Sequence, residues 1–163
     1  MNEPDPAAAF TRLNSLIMQS GIAGRFVTLV AAILDPARHT ATLVNAGHPS
    51  PLIYHGASGS AEAATSIDVA GFPLGVIEGF QYTSCQVCLE PGDGILAFTD
   101  GVIEAMDIKG LQLQTAGVYA AVQARALSPR ALGERVVQVV RRFAAGQTQR
   151  DDITLVGFGR VEL

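Results

Sequence analysis

Two apolar runs in this chain meet aspartates at their ends, and any fold must accommodate that. Gly94 to Phe98 leads into Thr99-Asp100-Gly101-Val102-Ile103-Glu104, and Arg150-Asp151-Asp152 opens the run Ile153 to Phe158. Both runs read as buried strands. An ionised carboxylate withdrawn from water needs a compensating charge or hydrogen bonds. The two strand ends are therefore expected side by side, making an oxygen-rich pocket. Oxygen donors of this kind suit hard divalent cations such as Mg²⁺ and Mn²⁺. The separation of the motifs predicts a site assembled by the fold rather than by one local loop.

A chain of 163 residues is long enough for one real core, and a single domain spanning 1–163 is the expectation. With 48% hydrophobic and 16% charged residues, disorder is excluded. The net charge of −4 leaves no electrostatic footprint for nucleic acid, and Arg141, Arg142 and Arg150 are too few to make one. No apolar run approaches the roughly 20 residues that span a bilayer. The first residues are acidic where a signal peptide needs a basic start. The expected location is the cytoplasm, with neither nucleic acid nor membrane as a partner.

Hydrophobic spacing predicts a first helix from Pro6 to Ser20, with Phe10, Leu13, Leu16 and Ile17 on one stripe and Gly21 and Gly24 ending it. Phe26 to Leu34 and His39 to Asn45 read as a hairpin across Asp35-Pro36-Ala37-Arg38. A short strand near Leu52 to Tyr54 precedes a polar loop from Gly56 to Ala64, and a weak strand is expected at Thr65 to Val69. Gln81 to Leu89 and Gly94 to Phe98 read as a second hairpin, turning at Glu90-Pro91-Gly92-Asp93. Helices follow at Gln114 to Ala126 and from Ser128-Pro129, where Ser caps and Pro opens the first turn. Leu132, Val136, Val139, Val140 and Phe143 mark the stripe of the second, which Gly146 closes; Asp152 to Gly159 returns as a strand. Strands apolar on both faces must be covered on both. The pattern predicts sheet packed on sheet, helices outside, in the segregated α+β class.

Cys85 and Cys88 form a CxxC, which elsewhere can mean a redox pair or half a zinc site. On a strand, positions three apart point to opposite faces, so the sulfurs diverge. With no second CxxC, both are read as buried structural cysteines. His48 invites a general-acid role, but its turn is read as fixing strand geometry, and His39 and His55 carry no signal.

Four segments now carry a family resemblance. Val44-Asn45-Ala46-Gly47-His48-Pro49, Gly71-Phe72-Pro73-Leu74-Gly75-Val76, Leu89 through Ala105, and Asp151-Asp152-Ile153-Thr154-Leu155 occur in the order seen in SpoIIE/RsbU-type phosphatases. Leu13-Asn14 and Phe26-Val27-Thr28 resemble that family's run-up. These are bacterial members of the metal-dependent PPM (PP2C-like) serine/threonine phosphatases. The resemblance covers roughly Pro6 to Arg160. It implies a PP2C-like four-layer αββα sandwich of antiparallel sheets flanked by helices. It also implies hydrolysis of phosphoserine or phosphothreonine on a protein, with two Mn²⁺ or Mg²⁺ ions in the complete domain. The implied substrate class includes STAS-domain anti-anti-sigma factors.

Residue by residue, the resemblance implies that Asp100 and Asp151 are catalytic metal ligands and that Asp152 orients a ligand by hydrogen bonding. It implies that Gly101 lets the backbone approach the ion, and that Glu104 is solvated or structural. On residue type alone, Asp100-Gly101 reads equally well as a strand-ending turn, and Asp151-Asp152 as a helix-to-strand turn. The chain lacks the GGD-type and DVxGHG motifs with which the family's domain begins, and the segment Ile108 to Gly117 departs from the family pattern. The chain therefore resembles the C-terminal two-thirds of such a domain, N-terminally truncated. A weak or inactive chain and self-association through uncovered sheet edges are expected. The rival reading is a non-catalytic phosphatase-like module that binds a partner protein.

Overall fold

Turn residues and hydrophobic spacing set an alternation of strands and helices in the computed structural model, which describes residues 5–20, 24–66, 69–123 and 127–161. In chain order the elements are α1 (Pro6–Gln19), β1 (Leu29–Asp35), β2 (Thr40–Ala46), β3 (Leu52–His55), β4 (Ser60–Ala63), β5 (Ala70–Gly71), β6 (Ser84–Cys88), β7 (Gly94–Phe98), α2 (Asp100–Ile103), α3 (Gln114–Val122), α4 (Pro129–Ala144) and β8 (Leu155–Gly159). They divide into two units. One comprises Met1–Ser50 and Thr65–Cys88, the other Pro51–Ala64 and Leu89–Leu163.

In the first unit β2 is the central strand. β1 runs antiparallel to it from Leu29↔Ala46 to Asp35↔Thr40, β6 flanks its other side antiparallel, and β5 adds a two-residue parallel pairing. The β1–β2 turn forms as the sequence predicts. Asp35 Oδ1 accepts from the amides of Ala37 and Arg38, and the Arg38 guanidinium donates to Oδ2. Those bonds, the Arg38 amide first, hold the Asp35 carboxyl below its ordinary range. α1 starts where Asp5 caps the Ala7 amide and Pro6 fits the first turn. Its buried face differs from the predicted stripe. Ala7, Phe10 and Asn14 turn in, whereas Leu13 and Leu16 are exposed. Asn14 takes the inward place because its amide is fully used: Nδ2 donates to Ile77 O at 2.9 Å and Oδ1 accepts from Gly75 N at 2.8 Å.

β1 corrects a second expectation. The apolar run was expected to be covered on both faces, yet Phe26, Val27, Ile33 and Leu34 are about half exposed or more. Among the described residues β1 pairs only with β2, so it is an edge. The strand also starts later than the run, because Val27 instead forms an isolated bridge with Leu74. The strand expected at Thr65 to Val69 is not found at Thr65, Ser66 or Val69; the two-residue β5 follows it at Ala70–Gly71. Ile67 and Asp68 lie outside the described residues, as do Gly21 and the expected helix end at Ala124 to Ala126.

The second unit holds an antiparallel sheet of order β4-β3-β7-β8. Leu52, Tyr54, Leu96 and Phe98 of its strands share a core with Val118, Val122, Leu132, Val136 and Val140 of α3 and α4. Full burial of each such aliphatic side chain stabilises by about 1.5–3 kcal/mol. The α4 start is as predicted: the Ser128 hydroxyl accepts from the Ala131 amide, and Leu132, Val136 and Val140 recur every fourth residue inward. The polar loop expected at Gly56 to Ala64 is in part strand β4, paired from Leu52↔Ala63 to His55↔Ser60. Small residues there hid the alternation.

The second predicted hairpin does not exist. β6 pairs with β2 in the first unit, while β7 pairs with β3 and β8 in the second. Glu90 to Asp93 does turn, with the Asp93 amide donating to Glu90 O. Asp93 explains why the turn changes sheet. Its buried carboxylate accepts from the amides of Gly56 and Glu90, which ties the turn to the end of β3. The fold is mixed α+β with largely antiparallel sheets and helices, the class expected. Among the described residues no helix is long and apolar enough to cross a membrane.

Candidate functional site

The two acidic motifs are neighbours, and Thr99 joins them. This residue ends β7 in extended conformation ahead of α2. Its hydroxyl donates to Asp152 O at 2.9 Å and accepts from Thr154 N at 3.0 Å, while its amide donates to Thr154 O at 3.1 Å. One side chain therefore locks the end of β7 to the start of β8. Sequence reasoning missed Thr99. The signal was there: a Thr directly before Asp-Gly at a strand end has a hydroxyl able to donate and accept at once.

Gly101 makes the approach possible on the other side. A Cβ built there would stand 2.5 Å from Asp152 O and 3.2 Å from Asp151 O. The constraint is steric contact rather than backbone torsion. The close approach Gly101 permits is to the Asp151-Asp152 backbone.

Asp100 opens α2 and Asp151 precedes β8. Each spends one carboxylate oxygen on the next amide: Asp100 Oδ1 accepts from Gly101 N at 3.0 Å, Asp151 Oδ1 from Asp152 N at 2.7 Å. The bond to Asp151 comes from the amide of Asp152 and not from its carboxylate. The Asp151 carbonyl accepts from the Gln149 side chain. Both second oxygens, and the carboxylates of Asp152 and Glu104, take no hydrogen bond among the described residues. All four residues are exposed. This corrects the reading of buried strand-end charges: β7 is buried, but β8, an edge strand among the described residues, is largely exposed, and both acidic ends stand in water.

A cleft of about 610 Å³ opens beside these groups, with Gly101, Glu104, Asp151, Arg141 and Arg150 in its wall and Met106 and Ile153 contributing apolar surface. The donors are anionic oxygens, the chemistry Mg²⁺ and Mn²⁺ require. Their number is short: among the described residues no three His, Cys, Asp or Glu side chains converge to hold an ion. The described residues fit part of a divalent-ion site.

The histidines sort differently. His48 sits in a turn held by the fully buried Asn45, whose Nδ2 donates to His48 O and whose Oδ1 accepts from His48 N, both at 2.9 Å. Gly47 has φ +68° and its missing Cβ leaves room for Pro73. The architectural reading of this turn therefore has a physical basis in Asn45. His55, read as carrying no signal, lies between two carboxylates, Nδ1 3.4 Å from Asp93 Oδ2 and Nε2 3.3 Å from Glu62 Oε1. Cys85 is half-buried and Cys88 exposed, which corrects the reading of both as buried; neither forms a disulfide. Burial raises the Cys85 thiol pKa.

Against known proteins, residues 1–160 match the family described as Stage II sporulation protein E (SpoIIE). The phosphoserine phosphatase RsbU of Bacillus subtilis (strain 168) is 29% identical over 105 residues, which is 64% of this chain and 30% of that protein. The chain thus spans under a third of that relative. Two solved structures share the fold. The manganese-presoaked phosphatase domain of SpoIIE from Bacillus subtilis aligns with TM-score 0.66 at 17% identity, covering 94% of this chain and 74% of that one. The RsbU and RsbW domains of a Mycobacterium tuberculosis protein align with TM-score 0.71 at 26% identity, covering 95% and 42%. With the profile spanning nearly every residue and the fold matching its solved members, the chain belongs to the SpoIIE family of PP2C-like phosphatase domains.

Proposed function

We propose that this chain is the larger part of one catalytic domain of a metal-dependent protein serine/threonine phosphatase, acting on phosphoserine or phosphothreonine of a protein in a bacterial partner-switching pathway. The observation that carries the reading is the Thr99–Gly101 junction, which brings Asp100 and Asp151 to adjacent strand ends, with Gly101 and Asp151 in the wall of a cleft. In this reading Asp100 and Asp151 are two ligands of a divalent-ion centre. The Gly101 and Asp152 amides each hold one carboxylate oxygen, leaving the other to face an ion. Bound divalent ions would supply a water of lowered pKa and neutralise phosphoryl oxygens. Manganese in the SpoIIE relative's structure supports Mn²⁺ or Mg²⁺ as the ion, and the RsbU and RsbW relatives support a protein substrate, with a STAS-domain anti-anti-sigma factor as candidate, in the cytoplasm.

The test is p-nitrophenyl phosphate hydrolysis together with Mn²⁺ titration by calorimetry. A complete domain carrying this sequence is expected to turn over only with Mn²⁺ or Mg²⁺. Asp100→Asn and Asp151→Asn should lower kcat by at least about 100-fold, roughly 2.7 kcal/mol at ~1.36 kcal/mol per tenfold. Mn²⁺ affinity should fall with it. Unchanged metal binding in both variants would remove the assignment. The 163-residue chain alone is expected to be weak. A partner-binding module without turnover is the second reading, favoured by the absence of a three-ligand cluster among the described residues. It predicts partner binding that neither substitution alters.

A further inference from the structure

The two cysteines take no part in the acidic cleft, and the structure separates them by exposure. Cys88, the last residue of β6, is exposed, whereas Cys85 is half-buried and burial raises its thiol pKa. Reactivity toward oxidants follows exposure and thiolate character, which singles out Cys88. An exposed thiol alone is no site. Its neighbour makes it one.

Pairing across β1, β2 and β6 puts Asp35, Thr40 and Cys88 in one row. Residues directly opposite one another share a face of the sheet, with Cβ atoms about 4.5–5.5 Å apart. Thr40, in the middle of the row, is 8% exposed, and its Oγ1 has no hydrogen-bond partner among the described residues. A buried hydroxyl left unpaired is costly and calls for an explanation. Asp35 does not relieve it, since that carboxylate turns both oxygens to Ala37 and Arg38 of its own turn. On the other side stands the Cys88 sulfur, which as a thiol is only a weak acceptor.

We propose that Cys88 is a site of reversible oxidation by hydroperoxides, at which the Thr40 hydroxyl donates a hydrogen bond to the oxygen gained. The Cys88 thiolate attacks one peroxide oxygen. An S–O bond forms, the O–O bond breaks, and the departing hydroxide or alkoxide takes a proton from water. Sulfur is oxidised by two electrons, the peroxide is reduced by two, and the product is a sulfenic acid. The new oxygen arrives on a side chain already beside Thr40, so no ligand has to enter the sheet. Cys85 does not resolve the product. On one strand the two Cα atoms stand about 10 Å apart at ~3.3 Å per residue, beyond the ~7 Å that a disulfide bridges. The sulfenic acid therefore lasts until a thiol from solution attacks its sulfur and releases water, leaving a mixed disulfide that a second thiol reduces. The site lies in the first unit and both acidic motifs in the second.

Hydrogen peroxide on the whole chain, followed by dimedone trapping and mass spectrometry of the peptides, tests this. We expect the adduct at Cys88 in about tenfold excess over Cys85. Delaying the dimedone measures how long the sulfenic acid lasts. Thr40→Val and Thr40→Ala differ in packing but both lack the hydroxyl. Each should shorten that lifetime about fivefold, the factor one net hydrogen bond supplies, while Thr40→Ser keeps it. The reduced Thr40→Val chain should melt no lower than the parent, because it loses an unpaired hydroxyl and keeps the shape. Equal adduct at the two cysteines, or a lifetime unchanged in either Thr40→Val or Thr40→Ala, would overturn the proposal. So would a lifetime lost equally in Thr40→Ser, for packing and not the hydroxyl would then set it.

Discussion

Gly101 and Thr99 show how few atoms hold the acidic motifs together. A methyl at Gly101 would sit 2.5 Å from a backbone oxygen, so something must shift. We expect Gly101→Ala to destabilise by about 1–3 kcal/mol, as overpacking does, and to cut any metal-dependent activity more than stability alone explains. Urea unfolding beside Mn²⁺ titration separates the two effects. The cysteines give a second expectation. Cys88 is exposed, whereas burial raises the Cys85 pKa and leaves less thiolate near neutral pH. A disulfide reagent at pH 7 should label Cys88 first, with Cys85 catching up as pH rises. Equal rates at pH 7 would contradict the burial. At this scale the sequence made Asp100, Asp151 and Gly101 legible because each sits in a short motif of distinctive type. Asn14 and Asp93 were not, since these buried polar residues declare themselves chiefly through partners distant in sequence.

Elements were readable where the cause was local. Ser128-Pro129 capped α4, and Asp35 closed the β1–β2 turn, as residue type dictates. Ser128→Ala should cost about 1 kcal/mol of stability, measurable by urea unfolding. The errors came where pairing is non-local. Nothing in Gln81 to Leu89 or Gly94 to Phe98 says that the strands join different sheets, and Asp93, the residue tying that turn to β3, acts across a long sequence gap. We expect Asp93→Ala to cost about 1–3 kcal/mol, because the Gly56 amide loses its buried partner. A melt unchanged from the parent would show that the turn holds itself.

Over the whole molecule, fold class followed from alternating apolar runs and helical stripes, but which strands were edges did not. β1 presents Ile33 and Leu34 and an outer edge unpaired among the described residues. Unpaired edges template pairing with another chain, and exposed apolar patches favour association. Light scattering on this 163-residue chain at tens of micromolar should show dimers or larger species. A monodisperse monomer would mean that this edge is tolerated in water.

The interleaving of the two units has a consequence for synthesis. The chain crosses between them three times, after Ser50, Ala64 and Cys88. As the polypeptide leaves the ribosome, β3 and β4 emerge well before β7 and β8, the strands that complete their sheet. A two-stranded hairpin is marginal in water, so β3 and β4 wait for β7 to give their sheet a third strand. The pair Asp100 and Asp151 therefore comes together only when β8 joins β7, and a ribosome stalled before β8 would hold the first acidic motif without the second.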